Sequence, residues 1–159
     1  MNLSRFQVLM AAILFSTGGA AIKAVTLTPW QVASFRAGIA ALTLLLLVPD
    51  ARRLSWRALA VGVVQAGTFI TFVLANRMTT AASAVFLQAA APFWLILFGP
   101  LLLGERSRRS DVPFLGVLFL GVLLLMLGTP GPSATAPDTF RGNVVGAASG
   151  FMWALSLAG

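Results

Sequence analysis

Apolar residues run along this chain in long stretches, interrupted by short segments that carry arginine, proline, glycine or an acid. A bilayer core of about 30 Å needs roughly 20 mostly apolar residues in a helix. The pattern predicts helices over residues 6–25, 30–48, 58–75, 80–103 and 112–128, and a sixth that begins near residue 143 and is still apolar at Gly159. Strands of a membrane barrel would alternate apolar and polar positions. Segments such as LTLLLLV and LGVLLLML do not alternate. The expected fold class is therefore all-α, a polytopic membrane helix bundle of about six transmembrane helices. Arg5 ahead of the first stretch imitates the start of a signal peptide, but the spans that follow make it a retained first helix.

Composition narrows the function classes. The 159 residues are 58% hydrophobic and 9% charged, against about 25% charged in soluble domains. Without histidine or cysteine there is no imidazole base, thiol nucleophile, disulfide or Cys/His metal site. No cofactor and no metal are expected. An intramembrane enzyme is the weakest class, because paired carboxylates are lacking and unaided Ser or Thr would have to suffice. The net charge of +7 would suggest nucleic acid in a soluble protein. Here the cations cluster between apolar runs, a pattern of membrane topology, so the expected partner is the lipid bilayer and not nucleic acid.

Cytoplasmic loops hold an excess of Lys and Arg. With the N-terminus inside, Arg5, Arg52, Arg53, Arg57, Arg106, Arg108 and Arg109 fall on the cytoplasmic side, and Lys23, Arg77 and Arg141 fall outside. That asymmetry predicts one fixed orientation. The dominance of arginine over lysine, with abundant alanine, leucine and glycine, fits a GC-rich bacterial coding sequence and a bacterial inner membrane.

Residues 129–138 (TPGPSATAPD) read as an outer loop between two units. Beyond it, Arg141, Val144, Ala147, Ala148 and Phe151 repeat the spacing of Arg5, Val8, Ala11, Ala12 and Phe15 at an offset of 136 residues. An odd number of helices per repeat would invert the second copy, as in many secondary transporters. The expected organisation is a five-helix repeat over residues 1–128, an outer loop over 129–142 and the first helix of a second repeat over 143–159. Because the sixth span stops at Gly159 without a charged anchor or polar tail, the expectation is a fragment; the alternative is a natural six-helix protein.

Polar groups within a span are expensive and tend to face the bundle interior. Gln65, Thr68, Phe69 and Phe72 fall on one face of the third helix, at i, i+3, i+4 and i+7. On the fourth, Ala81, Ala84, Gln88 and Ala91 form a small-residue stripe, with Trp94 below Gln88. An apolar cavity with few polar groups suits a small amphipathic ligand; the other reading has both glutamines simply bridging helices. Pro92 and Pro100 remove backbone donors and kink the fourth helix, either as plain shaping or as part of a ligand path.

Arg36 is the charge that lies well inside a span. It snorkels to the outer interface, attracts a carboxylate, or pairs with carbonyls at a helix end. The acids Asp50, Glu105, Asp111 and Asp138 all lie at helix ends or in loops, so no proton carrier is evident. Glu105 with Arg106, Arg108, Arg109 and Asp111 reads as a cytoplasmic salt-bridge cluster. Gly142, Gly146, Gly150, Ala154 and Ala158 on the sixth helix, and Ala12, Ser16, Ala20 and Ala24 on the first, make stripes that predict close packing of these two helices. Trp153, Ser156 and Phe151 would then face a cavity or lipid.

The run over residues 75–125 resembles the EamA-type half of the drug/metabolite transporter superfamily. The resemblance is carried by the small-residue segment after the third helix, Pro92, the Leu103-Gly104-Glu105-Arg106 ending, and Gly116 and Gly121. Phe15, Gly19 and Arg36 fit as well, while Ser16 stands where the family often has tryptophan. The resemblance implies a ten-helix transporter of two inverted repeats that moves small metabolites such as amino acids or related amphipathic compounds, usually outward. Its implied partners are a small-molecule substrate and either a second half or a second copy. The expected site is a midplane cavity among the first, third, fourth and sixth helices, with Gln65, Phe69, Phe72, Gln88, Trp94 and Trp153 in its wall and Arg36 at its mouth. The alternative is a non-transporting membrane scaffold or assembly partner, which predicts a bundle packed without a cavity.

Overall fold

Small polar residues fix where the helices begin. The computed structural model describes residues 3–49, 55–102, 104, 111–129 and 131–159. Its helices are α1 (Leu3–Ala24), α2 (Pro29–Leu47), α3 (Trp56–Met78), α4 (Ala81–Ala89), α5 (Ala91–Leu102), α6 (Asp111–Leu127) and α7 (Thr139–Ala158). Thr28 closes a capping box with Gln31 ahead of α2, and Pro29 occupies the first turn, where its missing N–H costs no helix bond. Ser55, Thr80 and Asp138 cap α3, α4 and α7 by accepting from the backbone N–H three residues on. Asp50, Arg52, Arg53, Glu105, Arg106, Arg108 and Arg109 lie outside the described residues, as do the side chains of Phe15 and Ser16.

The chain is an all-α bundle, as its apolar pattern requires. Arg5–Ala24, Pro29–Leu47, Trp56–Met78 and Ala81–Leu101 are long and apolar enough to cross a membrane; Asp111–Leu127 is apolar but shorter. The predicted fourth helix is two segments joined at Ala90, whose φ of −74° and ψ of 7° leave the helical range. Pro92 explains the break. It has no N–H to offer the Gln88 carbonyl, and Phe93 N–H instead reaches back to the Ala90 carbonyl at 2.9 Å. The last helix begins at Thr139, ahead of the predicted residue 143, because Asp138 supplies the cap.

In lipid, helices gain little from burying apolar surface against one another, so close fit decides which of them meet. α7 lies against α3, α4 and α5. Its glycine stripe makes this possible: a Cβ at Gly142 would lie 2.6 Å from the Thr79 nitrogen, and one at Gly150 would collide with the Leu87 carbonyl oxygen. The close packing expected between the first and sixth helices does not form among the described residues, since the α7 stripe is taken up by α3 and α4. The small residues Ala12 and Ala20 of α1 line open space instead. Ile22, Val32, Ala33, Phe72, Val73, Ala75 and Ala84 form the buried core. Leucines along α2 and α6, such as Leu46 and Leu124, point outward, as lipid-facing positions should.

Candidate functional site

A polar seam ties α7 to its neighbours. Gln88 Nε2 donates to Ser149 Oγ at 3.3 Å, and Ser149 Oγ donates to the Thr68 carbonyl at 3.3 Å. Nearer the start of α7, Thr79 Oγ1 donates to Asn143 Oδ1 at 2.7 Å, and Asn143 Nδ2 donates to Thr129 Oγ1 at 3.2 Å. Gln88 and Ser149 are both buried. Gln88 therefore bridges helices, although its Oε1 has no partner. Trp94 belongs to an aromatic cluster on the same side, with ring centroids 5.2 Å from Phe93, 6.1 Å from Phe98 and 5.6 Å from Phe151.

The third helix divides its candidates between two neighbours. Thr68 and Phe69 are consecutive, hence about 100° apart around the axis. The Thr68 backbone carbonyl accepts from Ser149 of α7 while its hydroxyl bonds back to the Val64 carbonyl; the Phe69 and Phe72 rings turn to α2. There the Arg36 guanidinium carbon sits 5.5 Å from the Phe69 ring centroid and 5.6 Å from that of Phe72, within the range of a cation–π contact. Its Nη1 is buried without a hydrogen-bond partner. Arg36 and Phe72 line a cavity of about 250 Å³ with Ala11, Leu14 and Gly18; Phe69 lines a smaller one, about 160 Å³, between α2 and α3. Gln65 lies one turn from Phe69 and is half-buried.

A wider cavity, about 830 Å³, opens between α1 and α4. Val8, Ala11, Ala12, Gly19 and Ala20 of α1 face Ala81, Ala82, Val85, Phe86 and Ala89 of α4, and Trp153 of α7 completes the lining. Residues 5–14 of α1 are exposed, whereas Gly19 and Ile22 are buried. So α1 is held by its C-terminal part and stands away from the bundle at its start. Trp153 is in the wide cavity, and Arg36 and Phe72 are in the smaller one; Ala11 borders both. Gln88 and Trp94 line neither.

The end of α1 is secured by an exchange of cations, Lys23 and Arg77, which the sequence pattern marks only as outer charges. Lys23, in the last turn of α1, donates through Nζ to the Thr79 carbonyl at the end of α3 at 2.8 Å, and to the Thr135 carbonyl. Arg77, in the last turn of α3, donates through Nη2 to the Val25 and Leu27 carbonyls just past α1 at 2.6 and 2.9 Å. Each cation meets the negative end of the other helix. The Asp138 N–H adds a bond to the Met78 carbonyl at 3.1 Å. Beside this latch, Asn76 is fully buried with neither amide atom paired, packed where a Cβ on Gly19 would lie 3.2 Å from its Nδ2. In the sequence the latch leaves one trace, a basic residue in the last turn of two helices that run the same way, Lys23 in α1 and Arg77 in α3.

No curated protein and no solved structure matches the chain significantly. A family model does match it, over residues 3–127. With apolar helices of membrane-crossing length and that match over most of its residues, the chain is a multi-pass membrane protein that belongs to the EamA-like transporter family.

Proposed function

We propose that the chain moves small metabolites, such as amino acids or related amphipathic compounds, outward across the bacterial inner membrane by alternating access. The observation that carries this reading is the cavity of about 830 Å³ between α1 and α4, bordered by the Lys23–Arg77 latch at one end. A wall of small apolar side chains and one indole accepts an apolar body without dictating its identity. Arg36, Phe69, Phe72 and Gln65 form the neighbouring polar and aromatic part of the site, and Trp153 forms the far wall. Gln88 and Trp94 hold α7 in place.

Lys23, Arg77 and Arg141 lie at one end of the bundle through the latch and the Asp138 cap. By sequence the larger set Arg5, Arg52, Arg53, Arg57, Arg106, Arg108 and Arg109 falls on the opposite side, an excess that supports an inward N-terminus under the positive-inside rule. The spacing shared by α7 and α1 supports a five-helix repeat followed by an inverted second one, completed by further chain or by a second copy. A scaffold would have no use for so wide a gap between α1 and α4.

Filling the cavity tests the reading. In everted membrane vesicles supplied with radiolabelled amino acids and their amphipathic derivatives, Ala12→Phe combined with Ala89→Phe should lower transport at least tenfold, about 1.4 kcal/mol in barrier terms. Undiminished transport by this variant would remove the cavity from the path.

A further inference from the structure

We propose that Arg36 is an anion-binding element and that the solutes selected at this site carry a carboxylate; this deepens the transport reading above and rests on it. Arg36 follows Pro29 by seven residues, which places its Cα about 10 Å along the helix from that end. A guanidinium keeps its charge in proteins, and a charge at such depth calls for a counter-charge or a polar partner. Among the described residues no acid lies in the interior of a helix. Asp111 opens α6, and Asp138 caps α7 and pairs with Arg141 at 3.4 Å.

The two phenyl rings satisfy part of this need. Phe69 and Phe72 sit against the guanidinium at 5.5 and 5.6 Å, but ring faces do not use up its in-plane N–H donors. Nη1 is buried and donates to nothing in the protein, and the Arg36 side chain lines a cavity of about 250 Å³ whose other lining residues, Ala11, Leu14, Gly18 and Phe72, have no charge. A planar fork of donors in an apolar recess matches a carboxylate, which can accept two parallel hydrogen bonds. Snorkelling does not account for this arrangement, because the burial of Nη1 and the ring contacts turn the head group toward α3. Ala11 also borders the wide apolar cavity, so the anion recess adjoins a space for an apolar body. The resulting specificity is for small amphipathic acids over their uncharged analogues.

Phenylacetate and phenylacetamide differ little beyond acid against amide and make a suitable probe pair. With the full chain in phosphatidylcholine nanodiscs, tryptophan fluorescence titration should give phenylacetate at least tenfold tighter binding than phenylacetamide. Arg36→Gln should abolish the preference and Arg36→Lys should retain part of it. Equal affinity for the two probes, including none for either, overturns the proposal, as does a preference that survives Arg36→Gln. The wild-type comparison decides the matter even if the glutamine variant does not fold. Nanodiscs containing phosphatidylglycerol separate the sources of the oxyanion: an unchanged preference supports a solute carboxylate, whereas loss of phenylacetate binding there assigns the recess to lipid phosphate and overturns the proposal. Efflux from proteoliposomes keeps the two readings apart. Binding through Arg36 without efflux of phenylacetate would defeat transport and leave the anion site standing; equal efflux of both probes would defeat the anion site and leave transport standing.

Discussion

At the scale of single residues, absent side chains decide where α7 sits. The nearest atoms to a Cβ at Gly142 are the Thr79 nitrogen, the Thr79 Cβ and the Met78 carbonyl carbon, all fixed by the main chain, and at Gly150 the nearest is the Leu87 carbonyl. Backbone cannot turn aside, so Gly142→Ala and Gly150→Ala should each lower stability by about 1–3 kcal/mol, the usual cost of overpacking. Gly146 meets the Leu87 side chain at 3.1 Å, which has rotamer freedom, and its alanine variant should cost less. Gly116 has nothing within 4 Å; Gly116→Ala should be neutral or stabilising by roughly 0.5–1 kcal/mol through helix propensity. Reversible unfolding in mixed detergent micelles orders the four, and a Gly116→Ala loss as large as that of Gly142→Ala would refute the steric account. The stripe itself was legible because the i+4 spacing is visible in sequence. Its partner was not, since small residues say that something comes close without saying what.

At the scale of elements, the fourth span shows how far a proline can be read. Residue type alone foretold a distortion at Pro92 and Pro100, yet not that Pro92 would end one helix and sit in the first turn of another. In that first turn a proline is tolerated. Pro92→Ala restores a donor toward the Gln88 carbonyl and should join α4 to α5, so amides of residues 90–94 should exchange with deuterium at least tenfold more slowly, about 1.4 kcal/mol of added protection. Unchanged exchange there would mean that packing against α7, and not the missing N–H, sets the break. The same limit applies to the third helix. Gln65, Thr68, Phe69 and Phe72 read as one face, but only the two rings meet Arg36 of α2, and what α7 takes from Thr68 is its backbone carbonyl, through Ser149. The set of rods was legible because lipid forces backbone bonding within each span; the sharing of faces depends on neighbours far away in sequence.

At the scale of the whole molecule, the bundle is fastened at one end and loose at the other. Lys23 and Arg77 lock the ends of α1 and α3 together, whereas residues 5–14 of α1 stay exposed. The wide cavity lies between, with Ala81 near the latch and Val8 near the loose start of α1. On the proposed reading of an inward-facing carrier with a cytoplasmic N-terminus, the latch lies at the outer end and keeps the cavity from the outer solution. Removing both cations, as in Lys23→Met with Arg77→Met, leaves four carbonyl contacts unmade and should let the outer ends of α1 and α3 part. The chain contains no cysteine, so single cysteines at Ala81 and Val8 report without background. With the latch intact, Ala81→Cys should resist a membrane-impermeant maleimide applied from the outer side, and Val8→Cys should react from the cytoplasmic side. With the latch removed, outer labelling of Ala81→Cys should rise at least tenfold, corresponding to about 1.4 kcal/mol in the opening equilibrium, and labelling of Val8→Cys should fall as the population turns outward. If Ala81→Cys remains protected without both cations, the hydrogen bonds at that end are only structural, and closure of the outer path must come from the α3–α7 packing around Thr79 and Gly142.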